Sequence, residues 1–119
     1  MNHFKQIADC LKRYDLDAML LTGEANRFYA SGFHSFGTDG VALVTGDKFY
    51  YFTDSRYTEA AGRHVANAEI REIGRGRGYS VLIGEVIAAH GIRRMGFEES
   101  YMTVQDHETY RSALSCELV

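Results

Sequence analysis

The chain has 119 residues, 45% hydrophobic and 24% charged, which fits one globular domain and excludes a mainly disordered polypeptide. Its formal net charge of -3 lacks the clustered excess of Lys and Arg that draws a protein to nucleic acid or to an anionic membrane. No apolar run reaches the length of a membrane span, and the opening MNHFKQIADC lacks the basic-then-apolar order of a signal peptide, so the sequence reads as cytoplasmic.

Residues 3 to 14 place Phe4, Ile7, Ala8 and Leu11 at helical spacing, with Lys5, Lys12 and Arg13 off that stripe, which predicts an amphipathic helix. DAMLLT, residues 17 to 22, is a short bounded apolar run, as expected of a strand covered on both faces. EANRFYASGF predicts a short helix stopped at Gly32, a residue suited to a left-handed cap. SGFHSFGTDG follows at residues 31 to 40; two aromatics, a histidine and three glycines in ten positions form neither a regular helix nor an unbroken strand, and the composition is that of an active-site loop. GVALVT and KFYYFT, joined through Gly46 and Asp47, predict an antiparallel hairpin.

Asp54 is placed to cap a helix over SRYTEAAGRH, where Tyr57, Ala60, Ala61 and His64 recur at helical spacing. AEIREI alternates as a strand does. YSVLIGEVIAAHG carries Leu82, Ile83, Val86 and Ile87 on one helical face and ends at Gly91. IRRMGF predicts a strand and TVQDHETYRSAL a helix opened by Thr103, with Asp106 three positions on. SCELV predicts an edge strand, or the start of something cut away. Strands alternate with helices apart from the one hairpin, so the expected fold is α/β: a single domain over residues 1–119 with a mixed, mostly parallel sheet and helices on both faces.

Chemistry internal to the chain finds little support. Zinc needs about four converging N, S or O ligands, usually including a short-spaced pair. His3, His34, His64, His90 and His107 are scattered, no HExxH or CxxC occurs, and Cys10 and Cys116 read as reduced, buried thiols. GRGRGYS, residues 74 to 80, matches neither a dinucleotide fingerprint nor a phosphate loop, and is expected to be a strand-to-helix connection with Arg75 and Arg77 solvated. No GxSxG elbow accompanies Ser35 or Ser55. What remains is TDSRYTEAA, residues 53 to 61, expected at the carboxyl end of a strand where open α/β sheets present ligand-facing groups. Arg56 is suited to hold a carboxylate through its planar fork, with Asp54 either capping the helix or orienting Arg56. A capped helix start bearing a surface salt bridge accounts for the same residues equally well.

Three stretches, LDAMLLTGEANRFYASGF, GTDGVALVTGDKFYYFTDSRY and MGFEESYMTVQDHETYRSAL, together resemble the N-terminal domain shared by creatinase, prolidase and Xaa-Pro aminopeptidases (aminopeptidase P), the M24 metallopeptidase family. One departure is that Asn26-Arg27-Phe28-Tyr29 stands where the family often has Asn-Ile-Arg-Tyr. The resemblance implies a ribonuclease H-like α/β domain with a five- or six-stranded sheet that cleaves no bond itself. It also implies a C-terminal pita-bread catalytic domain, absent from this chain, with two divalent metal ions (Mn, Co or Zn) held by two Asp, one His and two Glu.

By the same resemblance the domain recognises a proline-containing peptide and takes part in a homodimer, where its loops reach the partner's cleft. His34 and Phe36 are then candidate contacts, and Asp54, Arg56 and Tyr57, in the segment matching the family's Asp-Gly-Arg-Tyr, are candidates for substrate contact or for an interface. The alternatives are an assembly module of a peptidase-like protein without activity, and a creatinase-type amidinohydrolase.

Overall fold

A computed structural model describes residues 3–33, 40–65, 68–74, 76–98 and 102–119, without the side chain of His64. Helix α1 (Phe4–Leu11) runs into a 3-10 turn (Lys12–Tyr14), followed by β1 (Ala18–Leu21), α2 (Glu24–Ser31), β2 (Gly40–Thr45), β3 (Phe49–Thr53) and α3 (Thr58–His64). The second half comprises β4 (Ala68–Glu72), α4 (Tyr79–His90), β5 (Arg94–Phe97), α5 (Val104–Ala113) and β6 (Glu117–Leu118). The six strands form one sheet in the order β4-β3-β2-β1-β5-β6. Strand β2 is antiparallel to both its neighbours, while β3 with β4, β1 with β5 and β5 with β6 pair in parallel. Five strands therefore run one way and β2 runs the other, which is the mixed, mostly parallel sheet expected.

The strand sequences divide the core by their two-residue period. Ala18, Leu20, Val41, Leu43, Tyr50 and Phe52 point to one face and pack with Leu82, Ile83, Val86 and Ile87 of α4 and with Tyr110 and Leu114 of the α5 region. Their alternates Leu21, Ala42, Val44, Phe49 and Tyr51 point to the other face, against Phe4 and Ala8 of α1, Ala30 of α2 and Ala61 of α3. Burial on both sides is why β1, β2 and β3 read as continuous apolar runs.

Helices α2 and α4 end at Gly32 (φ 70°) and Gly91 (φ 62°), left-handed positions that a side chain would strain. Thr103 caps α5 by accepting from the Asp106 amide at 3.0 Å. Tyr50 Oη and His90 Nε2, 2.6 Å apart, tie the end of α4 to the sheet. Among the described residues no helix is long and apolar enough to cross a membrane.

Two expectations need correction. Asp54 does not cap α3: the Asp-Ser-Arg-Tyr segment forms a closed turn, with the Tyr57 amide donating to the Asp54 carbonyl at 3.0 Å, and the helix starts only at Thr58. Cys10 is not buried, because the inward stripe of α1 is Phe4, Ala8 and Leu11 and Cys10 falls beside it. Both cysteines are free thiols, and burial pushes the Cys116 thiol pKa up.

Candidate functional site

The topology brings the carboxyl ends of β1, β3 and β5 and the amino end of β2 to one edge of the sheet. Ligand-facing groups in open α/β sheets gather at such an edge.

The chain leaves β3 at Thr53 and turns through Asp54 to Tyr57. Asp54 Oδ1 accepts from the Arg56 amide and from Arg56 Nε, each at 3.0 Å, and Oδ2 accepts from Arg56 Nη2 at 2.7 Å. Two bonds thus fix the guanidinium against the carboxylate while the third ties the carboxylate to the turn's main chain, and the side-chain hydrogen bonds of Arg56, as the largest cause, hold the Asp54 pKa below its ordinary value. The Arg56 side chain remains 64% exposed against 24% for Asp54, so the pair presents the cation outward.

Behind it lies a chain of aromatic contacts. The guanidinium sits 5.4 Å from the Tyr57 ring centroid, Tyr57 meets Phe33 edge-on at 6.3 Å, and Phe33 meets Tyr51 edge-on at 5.7 Å. Since Phe33 and Tyr51 are core residues, the exposed cation is braced against the hydrophobic interior. Of the two roles open to Asp54 in sequence, orienting Arg56 is the one the geometry has.

Arg27 lies at the same edge but is only 1% exposed. Its Nη1 donates to the carbonyls of Thr22, after β1, at 2.8 Å and of Gly40, at the start of β2, at 2.9 Å. One turn later the Ser31 hydroxyl, also buried, donates to the Arg27 carbonyl at 2.6 Å and accepts from the Phe33 amide at 3.0 Å. Arg27 and Ser31 therefore fasten Gly40 and Phe33, the described residues on either side of positions 34–39. His34 and Phe36 themselves lie outside the described residues. Sequence reasoning missed the part played by Arg27; the available signal was its spacing to Ala30 and Ser31, which puts it on the inward stripe of α2 with two small residues.

Glu98, just past β5, completes the edge. Its Oε1 accepts from the amides of Thr22 at 2.9 Å and Gly23 at 2.8 Å, and its Oε2 accepts from the Asn26 side-chain amide. A carboxylate from a distant strand thus satisfies the start of α2, where Gly23 has no capping side chain. Nothing in the spacing of residues 22 and 98 signals this contact.

Among the described residues no group of three or more His, Cys, Asp or Glu is placed to hold a metal ion. The described histidines have other neighbours: His3 stacks on Tyr29, His90 meets Tyr50, and His107 packs on Phe97. The donor set of the described residues does not fit a binuclear metal centre.

A family model described as "Creatinase/Prolidase N-terminal domain" matches residues 4–119. The chain is 37% identical over 100 residues to the "Uncharacterized peptidase YqhT" of Bacillus subtilis, a match covering 84% of this chain and 27% of that protein. Among solved structures, an Xaa-Pro dipeptidase from Bacillus anthracis superposes with a TM-score of 0.86 at 26% identity, over 98% of this chain and 32% of that one. The N-terminal domain of the cytoplasmic peptidase PepQ from Mycobacterium tuberculosis gives a TM-score of 0.83 at 29% identity, over 98% of this chain and 89% of that one. The chain belongs to the creatinase/prolidase N-terminal domain family, and it spans about a third or less of the length of the whole peptidases it matches.

Proposed function

We propose that this creatinase/prolidase N-terminal domain is the non-catalytic substrate-recognition and dimerisation part of an Xaa-Pro dipeptidase or Xaa-Pro aminopeptidase of the cytoplasm. Hydrolysis of the bond before proline belongs to a C-terminal domain outside residues 1–119, which would supply two divalent metal ions to polarise the scissile carbonyl. The observation that carries the reading is the Asp54–Arg56–Tyr57 corner: an exposed guanidinium, oriented by two hydrogen bonds to Asp54, at the end of the sheet where open α/β folds gather ligand-facing groups.

A guanidinium held this way suits recognition of a carboxylate, such as the one that ends a short peptide. Asp54 fixes its direction, Tyr57 and Phe33 supply the apolar backing, and little side-chain entropy is left to lose when the ligand arrives. Phe33 and Gly40 flank in sequence the stretch that holds the two further candidates, His34 and Phe36. Carried to a neighbouring cleft, such a loop and cation would exclude water and sort substrates without touching the metals.

The test compares peptidase activity of the 119-residue chain and its longer parent, with manganese, on an Xaa-Pro dipeptide and on a longer Xaa-Pro peptide. The expected result is an inactive domain beside an active parent, with the preferred substrate deciding between dipeptidase and aminopeptidase. Activity in the 119-residue chain, or none in the parent, contradicts the reading.

A further inference from the structure

The two faces of the sheet are covered unequally. Helices α4 and α5 lie over one face out to its end, where Met95, Cys116 and Leu118 of the β5 and β6 region join the core. Beneath α1, α2 and α3, the core on the other face includes no described residue of β5 or β6. An apolar groove of about 580 Å³ runs there, lined by Ile7, Cys10, Tyr14, Met19, Gly96 and Val119 among others. At its floor Gly96 admits no side chain without displacement, since a Cβ would lie 2.7 Å from Met19 Sδ and 2.9 Å from a Leu16 methyl. Two large side chains of its wall are left open to water: Tyr14 is 66% exposed and Val119 49%. Strands of a largely parallel sheet are ordinarily buried on both faces, so this half-face lacks a layer.

We infer that the groove is the seat of the segment that follows Val119 in the longer protein, an amphipathic stretch laying its apolar side along α1 and β5. The inference rests on the proposal above that residues 1–119 belong to a longer chain. Val119 carries the argument. Its amide donates to the Met95 carbonyl at 2.9 Å, the last sheet bond of the described chain, and its side chain already lines the groove. Whatever follows Val119 leaves the sheet at the groove's mouth. A tether that short gives the following residues a far higher effective concentration at the groove than any separate partner has. The lining is dominated by Ile, Leu, Met, Phe and Tyr, with a flexible Met19 that adapts to an irregular apolar surface, so the chemistry called for is an apolar stripe.

Cys10 reports on the groove directly, being an exposed thiol in its wall, while half-buried Cys116 serves as an internal reference. The experiment measures maleimide labelling of Cys10 by peptide mass in three proteins: the 119-residue chain, the same chain extended by two helix lengths, roughly 25 residues, and the full parent. The expected result is labelling at least about tenfold slower in both longer proteins, as for a site exposed only by local opening. Tyr14→Asp should restore fast labelling in the longer proteins while leaving the thermal midpoint of the 119-residue chain unchanged.

Equal labelling in all three overturns the inference, and an active parent in that case leaves the peptidase reading standing. Protection in the full parent but not in the extended chain also overturns it, assigning the groove to the catalytic domain. Protection of the 119-residue chain that grows with concentration alongside a dimer mass overturns it in favour of a second copy. Protection in both longer proteins with no Xaa-Pro activity supports the inference and removes the peptidase reading.

Discussion

Two arginines stand at the same edge of the sheet and do opposite things. Arg27 is buried and gives its charge to main-chain carbonyls at 2.8 and 2.9 Å; Arg56 is largely exposed and is steered by two hydrogen bonds to a carboxylate. Burial makes the first costly to remove, because carbonyls that lose a charged donor away from water stay unsatisfied. Exposure makes the second cheap to remove, because water screens the pair and replaces its bonds. The difference separates structural need from presentation: an oriented cation left in solvent contributes little to the fold and is available to recognise something.

Substitutions at the edge sharpen that contrast. The largest effect belongs to Arg27→Met, which should lower stability by ~3 kcal/mol, seen as a fall of roughly 10 °C in thermal midpoint. Arg27→Lys should recover part of it, since one ammonium nitrogen can also donate to two carbonyls but is more strongly hydrated and costs more to bury than a guanidinium. Equal midpoints for wild type and Arg27→Met would break the comparison. Next is Glu98→Ala, which strips the start of α2 of its acceptor and should cost about 1–2 kcal/mol in urea denaturation, with Glu98→Gln regaining part because it keeps one oxygen. Arg56→Ala should change stability by less than about 1 kcal/mol.

The smallest effect is a titration. The folded carboxyl of Asp54 has a pKa below the ordinary 3.8, so its contribution to stability is fully present above that value and is lost as pH falls through the lowered folded pKa. An NMR titration should place its midpoint below 3.8 in the wild type and return it toward 3.8 in Arg56→Ala. An unmoved midpoint would mean that the pair does not persist in solution.

These contrasts also mark what sequence makes legible. The continuous apolar runs of β1, β2 and β3, the α4 stripe of Leu82, Ile83, Val86 and Ile87, the stop at Gly32 and the Thr103 cap are local signals, and each yields the element found. Asp54 misleads for a physical reason: an acidic residue ahead of a helical pattern resembles a cap, but with Arg56 two positions on the carboxylate finds a stronger donor and closes a turn, delaying α3 to Thr58. The contacts of Glu98 with residues 22, 23 and 26 and of Arg27 with Gly40 join segments that only the sheet order brings together. Composition and spacing carry no trace of such pairs. Arg56 could be singled out because its neighbours Asp54 and Tyr57 are local; for Arg27 spacing signals only the inward position on α2, and its carbonyl partner Gly40 lies across the fold.

The most direct measurement is kcat/KM of the full-length parent and its Arg56→Ala variant on an Xaa-Pro dipeptide and a longer Xaa-Pro peptide, with thermal midpoints taken on the same samples. The account predicts a fall of roughly tenfold or more on at least one substrate, equivalent to about 1.4 kcal/mol of lost transition-state stabilisation, at an essentially unchanged midpoint. Unchanged kcat/KM on both substrates would contradict it and return Arg56 to the role of a surface salt bridge.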